Sequence, residues 1–546
     1  MIRYTDTRGL LDRPQTFCEA ILEGIAPGGG LFVPEHLPRL ETGDLKILGH
    51  VPYHERAASI FSAFEPDVAE EHIADLSAMA YGANFSDSAV APVRHVADDR
   101  FVLELWHGPT LAFKDMALQC LPLYFSLAAS RQRTANADAH DYLVLVATSG
   151  DTGSAALAGF ADRPHVRICV FYPADGVSAI QRAQMVTQPG DNVFVFAVDG
   201  DFDACQSGVK AIFDDGAFTA QLGERFDLML SSANSINWGR LLPQIVYYVS
   251  AYADLVAGEH IAVGDPIDVC VPTGNFGDIL AGYYAREIGV PIARLLCASN
   301  TNNVLSDFLS SGTYDISSRE LVRTPSPSMD ILVSSNLERL LFHESGDAAK
   351  VRGWMEDLRA SGRFVVDEAT LARIRDHFVG AWVGDDACLA TIGAVQTERD
   401  YLLDPHTAVA WKVADDLAED RPVVIVSTAH WSKFPADVLR GLTGVTAAAP
   451  LTGEEDEFAL LDRVLALASG AHIPAALHTV RSPAWLCCCC PTARLEPRRG
   501  TTRAAPIAIR PTPCPQPTFK RPSMRQTPPM VEWSGSRRAP GISRPR

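Results

Sequence analysis

The chain has 546 residues, enough for two or three domains and a large core, and 47% of it is hydrophobic, as in an ordinary globular protein. Its formal charge of −19 argues against a general nucleic-acid binder, because neutralising phosphates takes basic patches. No stretch reaches the roughly 18 uninterrupted apolar residues of a membrane span, and the opening "MIRYTDTRGLLDRPQTF" mixes charges without the apolar segment of a signal peptide.

Residues 1–90 are expected to form a separate or embracing N-terminal domain. They read as more helical and polar than the rest of the body, and they contain a Gly/Pro-rich loop, "GIAPGGGLFVPEHLP" (24–38).

"HGPTLAFKDMALQ" (107–119) places one lysine among apolar neighbours, in a body whose only other lysines up to residue 475 are Lys46, Lys210, Lys350, Lys412 and Lys433. A phosphate-binding nucleotide loop reads G-x-x-x-x-G-K-[ST]. Gly108 and Lys114 fit it, but Phe113 stands where the second glycine belongs and Asp115 where the magnesium-binding hydroxyl belongs. Two readings survive. One is a helix-end lysine snorkelling to water. The other is a desolvated amine with a lowered pKa, able to form a Schiff base. His107 stands open between lining that site and packing.

From residue 141 one pattern recurs: a short apolar run, a Gly-rich turn, then a helical stretch. The runs are "DYLVLVAT" (141–148), "VRICVFYP" (166–173), "NVFVFAV" (192–198), "IDVCVP" (267–272) and "PVVIVS" (422–427). Continuous apolar runs alternating with helices indicate parallel strands buried on both faces. The expected fold is α/β, an open and mostly parallel sheet arrangement flanked by helices. Ligands in such sheets bind at the carboxyl ends of the strands. Two turns there suit anions. "SGDTG" (149–153) offers Gly150 and Gly153 for close backbone approach and the hydroxyls of Ser149 and Thr152. "TGNFGD" (273–278) repeats the arrangement after another strand. Each also has a plain packing alternative, a capped strand–helix turn, with Asp278 a first-turn carboxylate favoured by the helix dipole. Two such turns together suggest a ligand pair with two anionic ends, such as a phosphorylated cofactor and a carboxylate or phosphate substrate.

Residues 301–420 read as mostly helical cover for the sheet. Seven scattered cysteines (Cys18, Cys120, Cys169, Cys205, Cys270, Cys297, Cys388) show neither metal-ligand spacing nor a disulfide framework, so no metal site is expected and a reducing cytosol fits. Composition then breaks. Residues 476–546 hold 13 Lys+Arg, 2 Asp+Glu and 13 of the 36 prolines, a balance of +11 against −30 for the body. This tail is expected to be disordered. Cys487 to Cys490 lack the spacing for zinc, and the abrupt switch favours a frame change or an unrelated extension over a functional basic arm.

Taken together, the segments resemble threonine synthases, fold type II enzymes of pyridoxal 5′-phosphate. The likeness is carried by "LWHGPTLAFKDMALQ", "ATSGDTGSAA" (147–156), "SSANSINWGRLLPQ" (231–244), "VPTGNFGD" (271–278), "MDILVSSNLERLLF" (329–342), "DPHTAVA" (404–410) and "STAH" (427–430), and by "GIAPGGGLFVPE" near the start. It runs collinearly over residues 1–470. The resemblance implies a catalytic domain over 91–475, built of two α/β subdomains. It implies that Lys114 forms the internal Schiff base, that Gly274, Asn275, Phe276, Gly277 and Asp278 wrap the cofactor phosphate, and that Thr428 bonds the pyridine nitrogen. It further implies that Ser149, Asp151, Thr152 and Gly153 meet the substrate's amino-acid end, and that Asn237 and Arg240 meet its phosphate.

The reaction implied is O-phospho-L-homoserine plus water giving L-threonine and phosphate, with Lys114 displaced by the substrate amine and then moving protons. A cytoplasmic enzyme acting on a small molecule, with no nucleic-acid or membrane partner, is expected. A phosphate-eliminating lyase of the same fold, releasing a keto acid and ammonia, is the nearest alternative. A non-catalytic sensor is the more distant one. The chain departs from the family's usual Pro-Ala after "TAH" with Trp431 and Ser432, beside Thr428.

Overall fold

The computed structural model describes residues 1–478 apart from 65, 137, 138, 175, 453–455 and 469, so the expectation of a disordered tail falls, beyond residue 478, outside the described residues. In chain order the strands are β1 (Tyr4–Asp6), β2 (Phe32–Pro34), β3 (Val93–Ala97), β4 (Arg100–Glu104), β5 (Asp141–Ala147), β6 (Val166–Pro173), β7 (Val193–Val198), β8 (Leu228–Ser232), β9 (Ile267–Pro272), β10 (Ile292–Ser299), β11 (Thr313–Asp315), β12 (Arg363–Val365), β13 (Phe378–Trp382) and β14 (Val423–Ser427). The five apolar runs singled out in the sequence are β5, β6, β7, β9 and β14.

Two sheets carry the α/β body. One has four strands in the order β7-β6-β5-β8, all parallel. The other has six in the order β13-β10-β9-β14-β4-β3, parallel except for the edge pair β3–β4. Strand β9 is buried at every residue and so is β14, which is why both read as unbroken apolar runs rather than alternating ones. Two small antiparallel pairs, β1–β2 and β11–β12, lie outside these sheets.

The helix Trp238–Ala257 is the central strut. Its sequence, "WGRLLPQIVYYVSAYADLVA", is apolar nearly all round and 17 of its 20 residues are buried. The N-terminal segment packs on it without a core of its own: Tyr4 lies 5.5 Å and Phe64 6.1 Å from Trp238, ring to ring, in one continuous cluster. The helix thus joins the N-terminal segment to the α/β body, and its first turn lies beside the end of β8, where Asn237 Nδ2 donates to Ser232 O.

Candidate active site

The loop before Lys114 is tied down by Asp115. The amide and the hydroxyl of Thr110 donate to the two Asp115 carboxylate oxygens, at 2.8 and 2.7 Å. A β-carbon on Gly108 would lie 2.4 Å from Asp115 Cβ, so only glycine lets that side chain pass. Burial pushes the Asp115 carboxyl up to about 6, against the Thr110 bonds. The chain then runs beside the end of β14: Phe113 N donates to Thr428 O (2.8 Å) and His430 N to Leu111 O (3.0 Å). Lys114 opens the helix Lys114–Leu118 with its ammonium 4.5 Å from the centre of the Phe113 ring. The backbone therefore brings Lys114 and Thr428, far apart in the chain, to one place.

Lys114 does not snorkel. It is largely buried, and its Nζ lies 3.6 Å from Asp151 Oδ2. Burial lowers its pKa, with the Lys433 and Arg240 cations adding to the effect and Asp151 opposing it. Burial pulls the Asp151 carboxyl upward, yet Lys433 and Lys114 together hold it well below the usual carboxylate range. Asp151 also accepts from Gln181 Nε2 (2.9 Å) and Ser328 Oγ (3.2 Å). Its carboxylate is thus occupied by protein groups.

The "SGDTG" turn is partly self-satisfied. Thr148 Oγ1 accepts from both Gly150 N and Gly153 N at 2.9 Å, and Gly153 is packed against Thr148, Met185 and Val170. Gly153 thus gives its amide to the turn. The hydroxyls of Ser149, Thr152 and Thr428 have no protein partner among the described residues.

"TGNFGD" behaves as an anion cradle. Phe276 takes φ +65 and packs its ring on Phe378, starting the helix Gly277–Glu287. Ser334 Oγ donates to Gly274 O (2.7 Å) and Asn336 N to Asn275 O (3.1 Å), so these carbonyls face the 326–336 loop. Among the described residues, the amides of Gly274, Asn275, Phe276, Gly277 and Asp278 donate to no main-chain acceptor outside the helix. Consecutive unpaired amides at a helix start are suited to a phosphate. The Asp278 carboxylate points elsewhere: its Oδ1 accepts from Tyr247 and Tyr248 of the central helix. Burial pushes it up to about 6, against those two hydroxyls and the Lys114 charge. Its main chain, not its carboxylate, is what the cradle offers to a phosphate.

The "SINWGR" segment divides its labour. Asn237 caps the central helix through Gly239 N (2.9 Å), and its Nδ2 donates to Ile21 O (2.8 Å) and Ser232 O (3.0 Å). Every polar atom of that side chain has a protein partner. Arg240 is 3% exposed, donates to Ala233 O (2.8 Å), and leaves its buried Nε without a partner. Burial lowers its guanidinium to about 10, with no carboxylate beside it. A buried cation without a counter-ion is costly and suits an incoming anion.

Sequence reasoning assigned no role to Lys433, Ser328 or Asn336. Asn336 Nδ2 is buried and unpartnered, and a β-carbon on Gly277 would lie 3.2 Å from it. It stands in "SSNLER", at the turn that opens the helix Leu337–Ser345, but nothing local in that segment shows which loop it will cover. His107 is bound by Glu104 (2.9 Å) and Ser86 (3.0 Å) and stacks on Trp106. His430 caps the turn Trp431–Lys433 through Ser432 N. The departure from Pro-Ala thus places Ser432 as a hydrogen-bond partner of His430 (2.7 Å) while leaving the Phe113–Thr428 bond in place. Among the described residues no cluster fit for a metal occurs and no helix is long and apolar enough to cross a membrane.

A buried lysine at a sheet's carboxyl edge, facing an amide cradle, defines a pyridoxal-phosphate enzyme of fold type II, and the family model for pyridoxal-phosphate dependent enzymes matches residues 94–429. The model for the threonine synthase N terminus matches residues 3–81. A threonine synthase of Pseudomonas aeruginosa is 40% identical over 82% of this chain and 92% of its own length. The human threonine synthase-like 1 is 44% identical over 78% of this chain, which spans 58% of that relative's length. Among solved structures, the PLP-bound threonine synthase of Brucella melitensis superposes with a TM-score of 0.75 at 36% identity over 86% of this chain and all of that one. Yeast threonine synthase gives 0.74 at 34%, over 84% of this chain and 94% of its own. The chain belongs to the threonine synthase family. The cofactor, pyridoxal 5′-phosphate, fits the residues present: unpaired amides and the orphaned Asn336 donor for its phosphate, and a buried amine for its aldehyde.

Proposed function

We propose that this protein is a threonine synthase that converts O-phospho-L-homoserine and water to L-threonine and phosphate. The observation that carries this reading is Arg240, a buried guanidinium without a carboxylate partner, at the same site as Lys114 and distinct from the amide cradle of residues 274–278. One anion site serves the cofactor phosphate. The second is left for a phosphate on the substrate.

The bound cofactor supplies an electron sink for negative charge at substrate carbon. Lys114 would hold the cofactor through its amine, and its Nζ, once freed, takes the substrate α-proton, passes it to the leaving phosphate, and then takes a β-proton. Its lowered pKa favours the free amine that this work requires. Arg240 holds the departing phosphate by a planar fork that matches its oxygens. Lys114 then delivers the β-proton to the γ-carbon, which becomes the methyl group; water adds its hydroxyl at the β-carbon, and its remaining proton reaches the α-carbon through Lys114. The Ser149 and Thr152 hydroxyls bind the substrate carboxylate, and the Thr428 hydroxyl meets the pyridine nitrogen. The seven cysteines among the described residues are buried free thiols, which fits a reducing, cytoplasmic setting.

The test is selectivity. Turnover of O-phospho-L-homoserine should exceed that of homoserine by several orders of magnitude, because a substrate without phosphate leaves Arg240 unpaired. Equal turnover of the two would remove the phosphate from the account.

A further inference from the structure

Lys433 is the site's second buried lysine, and the proposed reaction does not use it. Its side chain is 0% exposed. Its Nζ donates to Thr110 O (2.8 Å), in the loop that presents Lys114, and lies 2.7 Å from Asp151 Oδ1. Lys114 takes the other oxygen of the same carboxylate at 3.6 Å. Two ammonium groups thus share one anion. Burying an ammonium costs several kcal/mol unless it is paired and hydrogen-bonded, and an apolar side chain would fill this space without that cost. We propose that Lys433 is a positioning residue for Lys114, acting through Asp151: it holds the carboxylate against the reactive amine and takes a share of its charge.

The sharing has a chemical consequence. An amine facing Asp151 alone would be held protonated by it. Lys433 offsets that attraction. The charged groups facing Lys114 are Asp151 from the helix Asp151–Phe160, Lys433 from the turn after β14, Arg240 from the central helix and Asp278 from the helix Gly277–Glu287. Lys433 itself also faces Asp115 and His430. When the cofactor occupies Lys114, Lys433 keeps Asp151 paired and in place.

The proposal rests on the reading of Lys114 as the reactive amine, so its test reads the amine directly. The full chain, stripped of cofactor, is labelled with acetic anhydride across pH, and acetylation is quantified on the Lys114 peptide. Lys433→Met should move the Lys114 midpoint upward by about one pH unit, a tenfold drop in labelling at a fixed pH below it. Lys433→Gln, which keeps a donor but no charge, should do the same. Asp151→Asn should move the midpoint downward, and Lys433→Arg should restore the wild-type value. A merely structural role predicts loss of fold without shifts of opposite sign. An unchanged midpoint in any folded one of Lys433→Met, Lys433→Gln or Asp151→Asn overturns the proposal. Failure of the Lys114 reading shows separately, as borohydride fixing the cofactor to another lysine while these shifts persist.

Discussion

A β-carbon on Gly159 would lie 1.8 Å from the carbonyl oxygen of Leu118. The helix that carries Asp151 and the helix that opens at Lys114 therefore touch backbone to backbone, which sets the separation of the two charged groups. Gly159→Ala should force the helices apart at a cost of about 1–3 kcal/mol or more, and lower both the thermal midpoint and turnover. Gly208→Ala, with nothing within 4 Å of the added carbon, should be neutral or slightly stabilising. Differential scanning calorimetry of the two variants checks the contrast, and equal melting would contradict it.

Asn237 and Arg240 lie in one motif yet should fail in different ways. Asn237→Ala removes a helix cap and two buried bonds, and should cost about 1–2 kcal/mol of stability with KM for the phosphorylated substrate unchanged in the folded fraction. Arg240→Met removes a buried unpaired cation, so stability should hold or rise, while kcat/KM falls about 10- to 100-fold or more, in line with loss of a charged hydrogen bond. Arg240→Lys should stay impaired although charge is kept. Steady-state kinetics beside thermal melts separates the two signatures.

The amide cradle depends on a close backbone approach. A β-carbon on Gly274 would lie 2.9 Å from Ser328 O and 3.1 Å from Met329 Cα. Gly274→Ala should displace the loop that covers the cradle and weaken cofactor retention at least tenfold, read by visible absorbance after dialysis. Retention equal to wild type would show that these amides do not hold the phosphate.

Asp278 makes the fold sensitive to pH in a stated direction. Its folded pKa, raised to about 6, lies above the unfolded value near 3.8, so its stabilising contribution is complete below about pH 4 and is lost as pH rises through 6. At two pKa units the loss is on the order of 2–3 kcal/mol. Asp278→Asn should therefore gain on wild type as pH is raised from about 4.5 to about 7.5, measured as the difference in thermal midpoint. A difference that does not change with pH would place the ionised carboxylate in a well-solvated or well-paired setting.

Much of the fold was legible because strands buried on both faces leave unbroken apolar runs, as in "IDVCVP" and "PVVIVS". Strand β10 was not legible, although it lies within the large sheet: Arg294 interrupts its run to reach Asp268 on the neighbouring strand β9. In the site, the lysine and the cradle were legible because each is a local motif at a strand end. The partition of roles was not. A threonine beside a Gly-rich turn can serve a ligand or the turn, and Thr148 takes the amides of Gly150 and Gly153 for the turn. Lys433, Ser328 and Asn336 reach the site from distant loops, and no spacing within the chain announces such contacts.

The lysine itself has a direct chemical readout. Lys114→Ala should lose the visible absorbance of the bound cofactor and all turnover while melting close to wild type, because a site lysine seldom holds a core together. Borohydride reduction of the wild-type protein followed by peptide mapping should place the cofactor on Lys114, and a label on Lys433 or any other lysine would contradict the assignment.

The central claim is the reaction, and product analysis with O-phospho-L-homoserine tests it most directly. Purified protein carrying its cofactor should release L-threonine and inorganic phosphate in equal amounts from the first turnovers. Release of 2-oxobutanoate and ammonia from the outset, or no phosphate although the cofactor is bound at Lys114, would contradict it.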